Sequence, residues 1–337
     1  MASLKTAKII DKATKVTLRG LKHNVEVPAS CCGTWAWGDK MSWGYDEKKD
    51  LPGIKEVWAQ LNKEKLGFYD TAEGYGNTNN EIIMGNLLKD TPPEQKKDII
   101  IATKWLPSPV FMGRWWPVGI VGALKNSLKR LGVEQVDLYQ VHIPVFWFYS
   151  IDSIAKGLAE CVNLGLTKTV GVSNYNEEQM VKMYDALQKY GIPLASNQIE
   201  FNLLRRIPET SGLLAACHLR DIVPLAYSPL AQGRLTGKYS AKNPPVGRRL
   251  YGDQPWEIID KLLEAMKEIS EKHGVPISAI ALNWTMCKGT IPLGGARNGH
   301  QNEQNIQALG FRLTDDEVKR LDELAVDGRT ISIVQAG

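Results

Sequence analysis

Eight short runs of β-forming residues recur along this chain, and a stretch with helical periodicity separates each from the next. The runs are ASCCGTW (29–35), GFYDTA (67–72), DIIIATKW (98–105), DLYQVHIP (137–144), KTVGVSN (168–174), ASNQIEFN (195–202), DIVPLAYSP (221–229) and TIPLGG (290–295). The spacing predicts helices over 53–65, 79–90, 117–131, 152–165, 176–190 and 208–219, a longer helical region at 255–287, and two more near 301–308 and 314–325. Strict alternation of this kind implies a parallel sheet, because a parallel neighbour needs a crossover connection. Several runs are apolar on both faces, as buried parallel strands are. Eight repeats in 337 residues suit a closed α/β barrel of the (β/α)8 type, the TIM barrel. The rival is a doubly wound sheet. Its dinucleotide-binding form carries GxGxxG after the first strand, and CCGTWAWG has no such turn.

KVTLRGLKHNVEV (15–27) reads as an N-terminal β-hairpin closing the barrel bottom. No low-complexity tract or linker interrupts the chain, so one domain over 1–337, with its core at about 15–325, is expected. In 255–273, Ile258, Ile259, Leu262, Leu263, Met266 and Ile269 share one side, which marks an ordinary packing helix.

Composition narrows the partners. Lys and Arg number 41 against 37 acidic residues, and the basic ones are scattered, so a nucleic-acid footprint is not expected. Five cysteines without CxxC or regular spacing argue against a disulfide framework and for a reducing compartment. The N-terminal stretch lacks the apolar segment of a signal peptide, and no apolar run is long enough to span a membrane. A cytoplasmic location is expected, and the NWT sequon at 283–285 reads as chance. The five histidines (23, 142, 218, 273, 300) show no i,i+4 pair and no ligand framework, so no metal is expected. GRLTGKY (233–239) lacks the P-loop spacing, and no GxSxG occurs.

In a barrel of this kind chemistry sits at the C-terminal ends of the strands. The residues leaving them are Asp70 with Tyr75 in the following loop, then Lys104, His142, Ser173-Asn174, Gln198, Tyr227-Ser228-Pro229 and the GGARN turn (294–298). A phenol titrates near 10, so proton transfer near neutrality needs a cation beside it. Lys104 can supply that charge, Asp70 can pair with a buried lysine, and His142 can orient a carbonyl oxygen or relay a proton. This set suits protonation of a carbonyl oxygen while hydride attacks carbon. No side chain carries hydride, so a nicotinamide cofactor is implied.

Asp70, Tyr75, Lys104 and His142, in DTAEGY, ATK and YQVHIP, resemble the catalytic tetrad of the aldo-keto reductases. GVSNY (171–175), NQIEFN (197–202), YSPLAQGRLTGKY (227–239) and GARNGHQNEQN (295–305) resemble family segments in the same order, so the likeness runs from about 15 to 325. It is nearest the plant, cyanobacterial and fungal branch that includes pyridoxal reductases, and more distant from the β subunits of voltage-gated potassium channels.

The resemblance implies that Tyr75 is the general acid, that Lys104 lowers its pKa, that Asp70 pairs with Lys104, and that His142 positions the carbonyl. It implies that Ser173, Asn174 and Gln198 bond the nicotinamide carboxamide and that Tyr227 stacks on the ring. Ser228, Leu230, Gln232 and Lys238 would hold the pyrophosphate. Gly295, Arg297, Gln301, Gln304 and Asn305 would meet the adenosine end. A guanidinium matches a 2′-phosphate bidentately, so Arg297 favours NADPH/NADP+ over NADH. Gln304 stands where the family often has an acid, and its carbonyl can still accept from adenine.

The aromatics Trp35, Trp37, Trp43, Tyr45, Trp105, Trp115, Trp116, Phe146 and Trp147 gather in rim-loop segments. Some serve to plug loops onto the barrel. Trp35, Trp105, Phe146 and Trp147 are the candidates for a substrate wall, which would suit an aromatic aldehyde such as pyridoxal. The expected protein is thus a free NADPH-dependent carbonyl reductase, monomeric or weakly self-associating, acting on a small carbonyl compound. The alternatives are a broad-specificity aldehyde reductase and a slow NADPH-sensing subunit of a larger assembly, and the short segment before the first strand favours the free enzyme.

Overall fold

A computed structural model describes residues 4–107, 119–144, 149–245 and 254–329. Two strands, β1 (Lys15–Leu18) and β2 (Val25–Pro28), form an antiparallel hairpin. Leu18 and Val27 are fully buried, and the turn at Gly20 lies against the Lys168 carbonyl at the start of a barrel strand. The predicted hairpin is therefore present and sits at the N-terminal end of the barrel.

Eight parallel strands then close on themselves: β3 (Cys31–Gly33), β4 (Phe68–Asp70), β5 (Ile100–Trp105), β6 (Val136–Val141), β7 (Thr167–Ser173), β8 (Leu194–Glu200), β9 (Val223–Tyr227) and β10 (Ile291–Gly295). β10 pairs with both β3 and β9, which completes the ring. This is the α/β TIM barrel that the eightfold alternation predicts. Every residue of β6 and β8 is buried, as strands covered on both faces require. Gly171 marks a register shift between β7 and β8. A Cβ there would lie 2.2 Å from Ser196 Oγ, so only glycine lets the two strands approach.

Helix boundaries show where local rules yield to context. The helix predicted at 53–65 begins earlier and runs Glu47–Lys63, with Pro52 inside it. Asp46 caps it, accepting from the N–H groups of Lys48 at 3.0 Å and Lys49 at 3.3 Å. The region at 255–287 is two helices, Trp256–His273 and Ile277–Cys287. Gly274 ends the first in the left-handed conformation at φ 67, and Pro276 precedes the second. The helix expected at 208–219 is likewise two short pieces, Ile207–Thr210 and Leu213–Leu219. Among the described residues no helix is long and apolar enough to cross a membrane.

Candidate active site

Alternation along β4 and β5 decides which side chains reach the barrel interior. Tyr69 points outward, stacks on Trp58 and donates to Asn62 Oδ1 at 2.9 Å. Asp70 therefore points inward, and so does Lys104 one strand over. The two meet with Lys104 Nζ 2.6 Å from Asp70 Oδ2, at 0% and 2% exposure. Lys104 also donates to the Thr71 carbonyl at 2.9 Å and to the Tyr75 hydroxyl at 3.0 Å. One ammonium thus spends its three protons on a carboxylate, a carbonyl and a phenol, which is its full donor capacity.

Burial raises the Asp70 carboxyl above its ordinary value, while Lys104 and Gln198 draw it down. Burial lowers the Lys104 ammonium, but Asp70 and Tyr75 outweigh it and the lysine ends above its usual value. The contact is therefore an ammonium–carboxylate pair. At Tyr75 the lysine acts in the expected direction, but the net shift is upward. Burial is the largest effect and raises the phenol, Lys104 pulls it down by less, and Asp70 adds to the rise.

His142 follows β6. Its ring lies edge-on to that of Tyr75, with centroids 5.4 Å apart. Burial and the neighbouring Lys104 charge push its pKa down to about 3, so the ring is neutral near pH 7. Its Nδ1 is buried without a hydrogen-bond partner among the described residues. All four members of the proposed tetrad therefore converge at one rim.

Around them the strand ends interlock. Gln198 donates to Asp70 Oδ1 at 2.7 Å and shares a longer contact of 3.3 Å with Gln140 Oε1. The Gln198 carbonyl accepts from Ser173 Oγ at 2.9 Å and from the Asn174 N–H at 2.8 Å. Asn174, left-handed at φ 64, donates to the His142 carbonyl at 3.1 Å and accepts from Tyr227 OH at 2.9 Å. The ends of β6, β7, β8 and β9 are tied together through this one residue.

The loop after β9 carries positive φ at Ser228 (50), Ala231 (46) and Gln232 (54). Left-handed non-glycine residues are costly and cluster at ligand clamps. Gln232 Oε1 is also buried without a partner among the described residues, and turning that amide presents a donor instead. Strain together with an unmatched polar atom fits a segment that closes on a polar ligand such as a pyrophosphate. Leu230 packs against the core, and Lys238 is exposed with its ammonium over the Tyr239 ring, 5.4 Å from the centroid.

At the β10 end, Gly295 is exposed and its carbonyl accepts from Asn305 at 3.2 Å. Asn298 caps the helix Gly299–Ile306, and Gln301 Oε1 accepts from the Arg297 N–H at 2.9 Å. Arg297 donates to the Trp43 carbonyl at 3.4 Å. Gln304 lies 3.3 Å from the His300 ring.

Of the substrate-wall candidates, Trp35 stands over the site, tilted on Tyr75 at 6.2 Å and edge-on to Trp43 at 5.5 Å. Trp105, next on the strand to inward Lys104, is 1% exposed and packs edge-on to Tyr149. Phe146 and Trp147, with Trp115 and Trp116, lie outside the described residues.

Two residues absent from the sequence reading matter. Gln140, paired in register with Lys104, lies under the tetrad and reaches Gln198. Asn80 is fully buried and donates to the carbonyls of Thr34 at 2.6 Å and Trp37 at 2.7 Å. It accepts from the hydroxyls of Thr34 and Thr71. It joins the loop after β3 to the Tyr75 loop. The inward alternation of β6 was a usable signal for Gln140, but nothing local announces Asn80.

A separate concavity of about 650 Å³ includes Lys89, Lys97, Arg130, Asp137 and Lys168 in its lining. It lies at the N-terminal ends of β5–β7, opposite the tetrad. Lys168 pairs with Asp137 at 2.7 Å and Arg130 with Glu81 at 2.6 Å, so much of its charge is matched within the protein.

The aldo/keto reductase family matches residues 31–326. The chloroplastic pyridoxal reductase of Arabidopsis thaliana is 34% identical over 302 residues, spanning 87% of this chain and 82% of that protein. The L-glyceraldehyde 3-phosphate reductase of Escherichia coli is 31% identical over 326 residues, spanning 91% of each. The structure of a glycerol dehydrogenase from Gluconobacter oxydans superposes with a TM-score of 0.75 at 26% identity, covering 93% of this chain and 97% of that one. Aldo-keto reductases are oxidoreductases that use nicotinamide cofactors. With a match over nearly its whole length and relatives above 30% identity, the chain belongs to the aldo/keto reductase family.

Proposed function

We propose that this protein is an NADPH-dependent reductase of aldehydes and ketones in which Tyr75 is the general acid. The observation that carries the reading is Lys104, whose ammonium is held 2.6 Å from Asp70 and 3.0 Å from the Tyr75 hydroxyl. As Tyr75 passes its proton to the carbonyl oxygen, Lys104 stabilises the phenolate left behind. Asp70 keeps Lys104 charged inside the barrel. Neutral His142, edge-on to Tyr75, donates one hydrogen bond to the same carbonyl oxygen and polarises it. A bound reduced nicotinamide supplies the hydride.

Ser173, Asn174 and Gln198 would hold the carboxamide, and Tyr227 the ring. Ser228, Leu230, Gln232 and Lys238 would hold the pyrophosphate, and Gly295, Arg297, Gln301, Gln304 and Asn305 the adenosine end. With its amide nitrogen given to Asp70, Gln198 has its side-chain carbonyl to offer a carboxamide N–H. The Arg297 guanidinium favours NADPH, because it matches the 2′-phosphate. Trp35 over Tyr75 gives the substrate side an aromatic wall, which together with the likeness to a pyridoxal reductase points to pyridoxal and similar aryl aldehydes. The five cysteines are all free and buried, which supports a reducing compartment, here the cytoplasm.

The test is NADPH oxidation with pyridoxal, 4-nitrobenzaldehyde, methylglyoxal and a bulky aryl ketone, with NADH in parallel. Turnover concentrated on pyridoxal supports a dedicated vitamer reductase, and flat activity across aldehydes a generalist. Absence of turnover with tight NADPH binding overturns the reductase reading.

A further inference from the structure

The segment between β3 and the helix Glu47–Lys63 touches both ends of the proposed site. Its base is rigid. Asn80 holds the carbonyls of Thr34 and Trp37 at 2.6 and 2.7 Å, and the Trp37 indole donates to the Ala296 carbonyl at 2.8 Å. Its tip is the four-residue helix Lys40–Trp43, ended by Gly44 in the left-handed conformation. Lys40, Met41 and Ser42 are exposed, Met41 at 97%. Trp43 turns back toward the barrel, where its carbonyl accepts from Arg297 at 3.4 Å and its ring meets Trp35 edge-on at 82°. Trp35 in turn lies over Tyr75.

We infer that Trp43 is a positioning residue that links recognition of the cofactor's 2′-phosphate to the fit of the carbonyl substrate. The inference rests on the assignment of Arg297 to that phosphate. A guanidinium has five N–H donors in a fixed plane, and a phosphate occupies two of them on one edge. The donors that remain are then held in one orientation toward the Trp43 carbonyl, and the long 3.4 Å contact tightens. An edge-on aromatic pair is directional, so fixing Trp43 fixes Trp35 and with it the wall above Tyr75. A bare ribose hydroxyl gives Arg297 no such anchor, and the tip is left loose.

The experiment compares KM for 4-nitrobenzaldehyde at saturating NADPH and at saturating NADH. In the wild type KM is expected to be about 5-fold or more higher with NADH, with kcat little changed. Trp43→Ala should remove that difference while NADPH binding is retained. Trp43→Leu, which keeps apolar volume, should do the same if the alanine variant folds poorly. Arg297→Ala should raise the aldehyde KM at saturating NADPH in the wild type and leave it unchanged in the Trp43 variants. Additive effects of the two substitutions, or an aldehyde KM indifferent to Arg297→Ala while NADPH affinity falls selectively, would overturn the coupling and spare the phosphate assignment. Equal weakening of NADPH and NADH by Arg297→Ala would overturn the assignment itself.

Discussion

Gln198 gives its amide to Asp70 Oδ1 at 2.7 Å while Lys104 holds Oδ2 at 2.6 Å, so β8 and β5 divide one buried carboxylate between them. Gln198→Glu replaces that donor with a second acid. Two carboxyls at this distance cannot both ionise, so the folded pair keeps a proton to higher pH than the unfolded chain does. A folded pKa raised in this way leaves stability intact below the ordinary carboxylate pKa and erodes it as pH rises. The variant should approach the wild type near pH 4 and trail it by roughly 2–4 kcal/mol at pH 8. Urea midpoints at the two pH values measure this.

Tyr75→Phe should separate binding from chemistry. It removes one hydroxyl at the rim and leaves the Lys104–Asp70 pair. NADPH affinity by fluorescence titration should be nearly unchanged, and turnover should fall by about 10²–10⁴. Lys104→Met should also lose turnover, but it strands Asp70 without its cation. A stability loss of about 3–5 kcal/mol by denaturant should then accompany it. Near-normal turnover in the phenylalanine variant would remove the phenol from the mechanism.

The pH dependence of stability should carry the mark of His142. Its folded pKa of about 3 lies below the ordinary 6.5 because burial and Lys104 disfavour the imidazolium. Between those values the unfolded chain takes up a proton that the folded one refuses. Stability is therefore complete above about 6.5 and falls as pH drops toward 3. His142→Asn should flatten that slope, as read from thermal melts between pH 4 and 7. The same neutrality means that the His142 imidazole should add no ionisation step to kcat between pH 5 and 8.

Gly76 tests how closely the Tyr75 loop is seated. It is left-handed at φ 55, and a Cβ there would stand 2.5 Å from the Gly38 carbonyl. Gly76→Ala adds backbone strain and a clash with a rigid neighbour, together about 1–3 kcal/mol. Because Tyr75 is the preceding residue, kcat should fall with NADPH affinity preserved. Unaltered kcat and melting temperature would show that the two loops part freely.

Much of this was legible before the structure. The eightfold alternation named the barrel, and the strand exits named Asp70, Lys104 and His142, because a parallel barrel brings all C-terminal strand ends to one rim. The break at Gly274-Val275-Pro276 was equally readable, since a left-handed glycine and a proline both end helices. The burial of Trp105 also has a reason in the sequence. If Lys104 faces inward, its neighbour on the strand must face out. Asn80 was not legible, since its partners Thr34 and Trp37 lie more than 40 positions away and meet it only through the fold. Nor was the rise in the Tyr75 phenol, because the sequence places Lys104 nearby but does not weigh its charge against desolvation.

The depth of the Lys104–Asp70 pair has one more consequence. Both side chains are sealed from solvent, at 0% and 3% exposure, whereas Arg297 sits at the partly exposed rim. Mobile ions screen exposed charges over roughly 8–10 Å near physiological ionic strength and barely reach buried ones. Added salt should therefore act on the two halves of the site unequally. It should loosen the hold on a phosphorylated nucleotide while leaving the proton-transfer step at its own rate, so that ionic strength alone can titrate capture against chemistry in the unmodified protein.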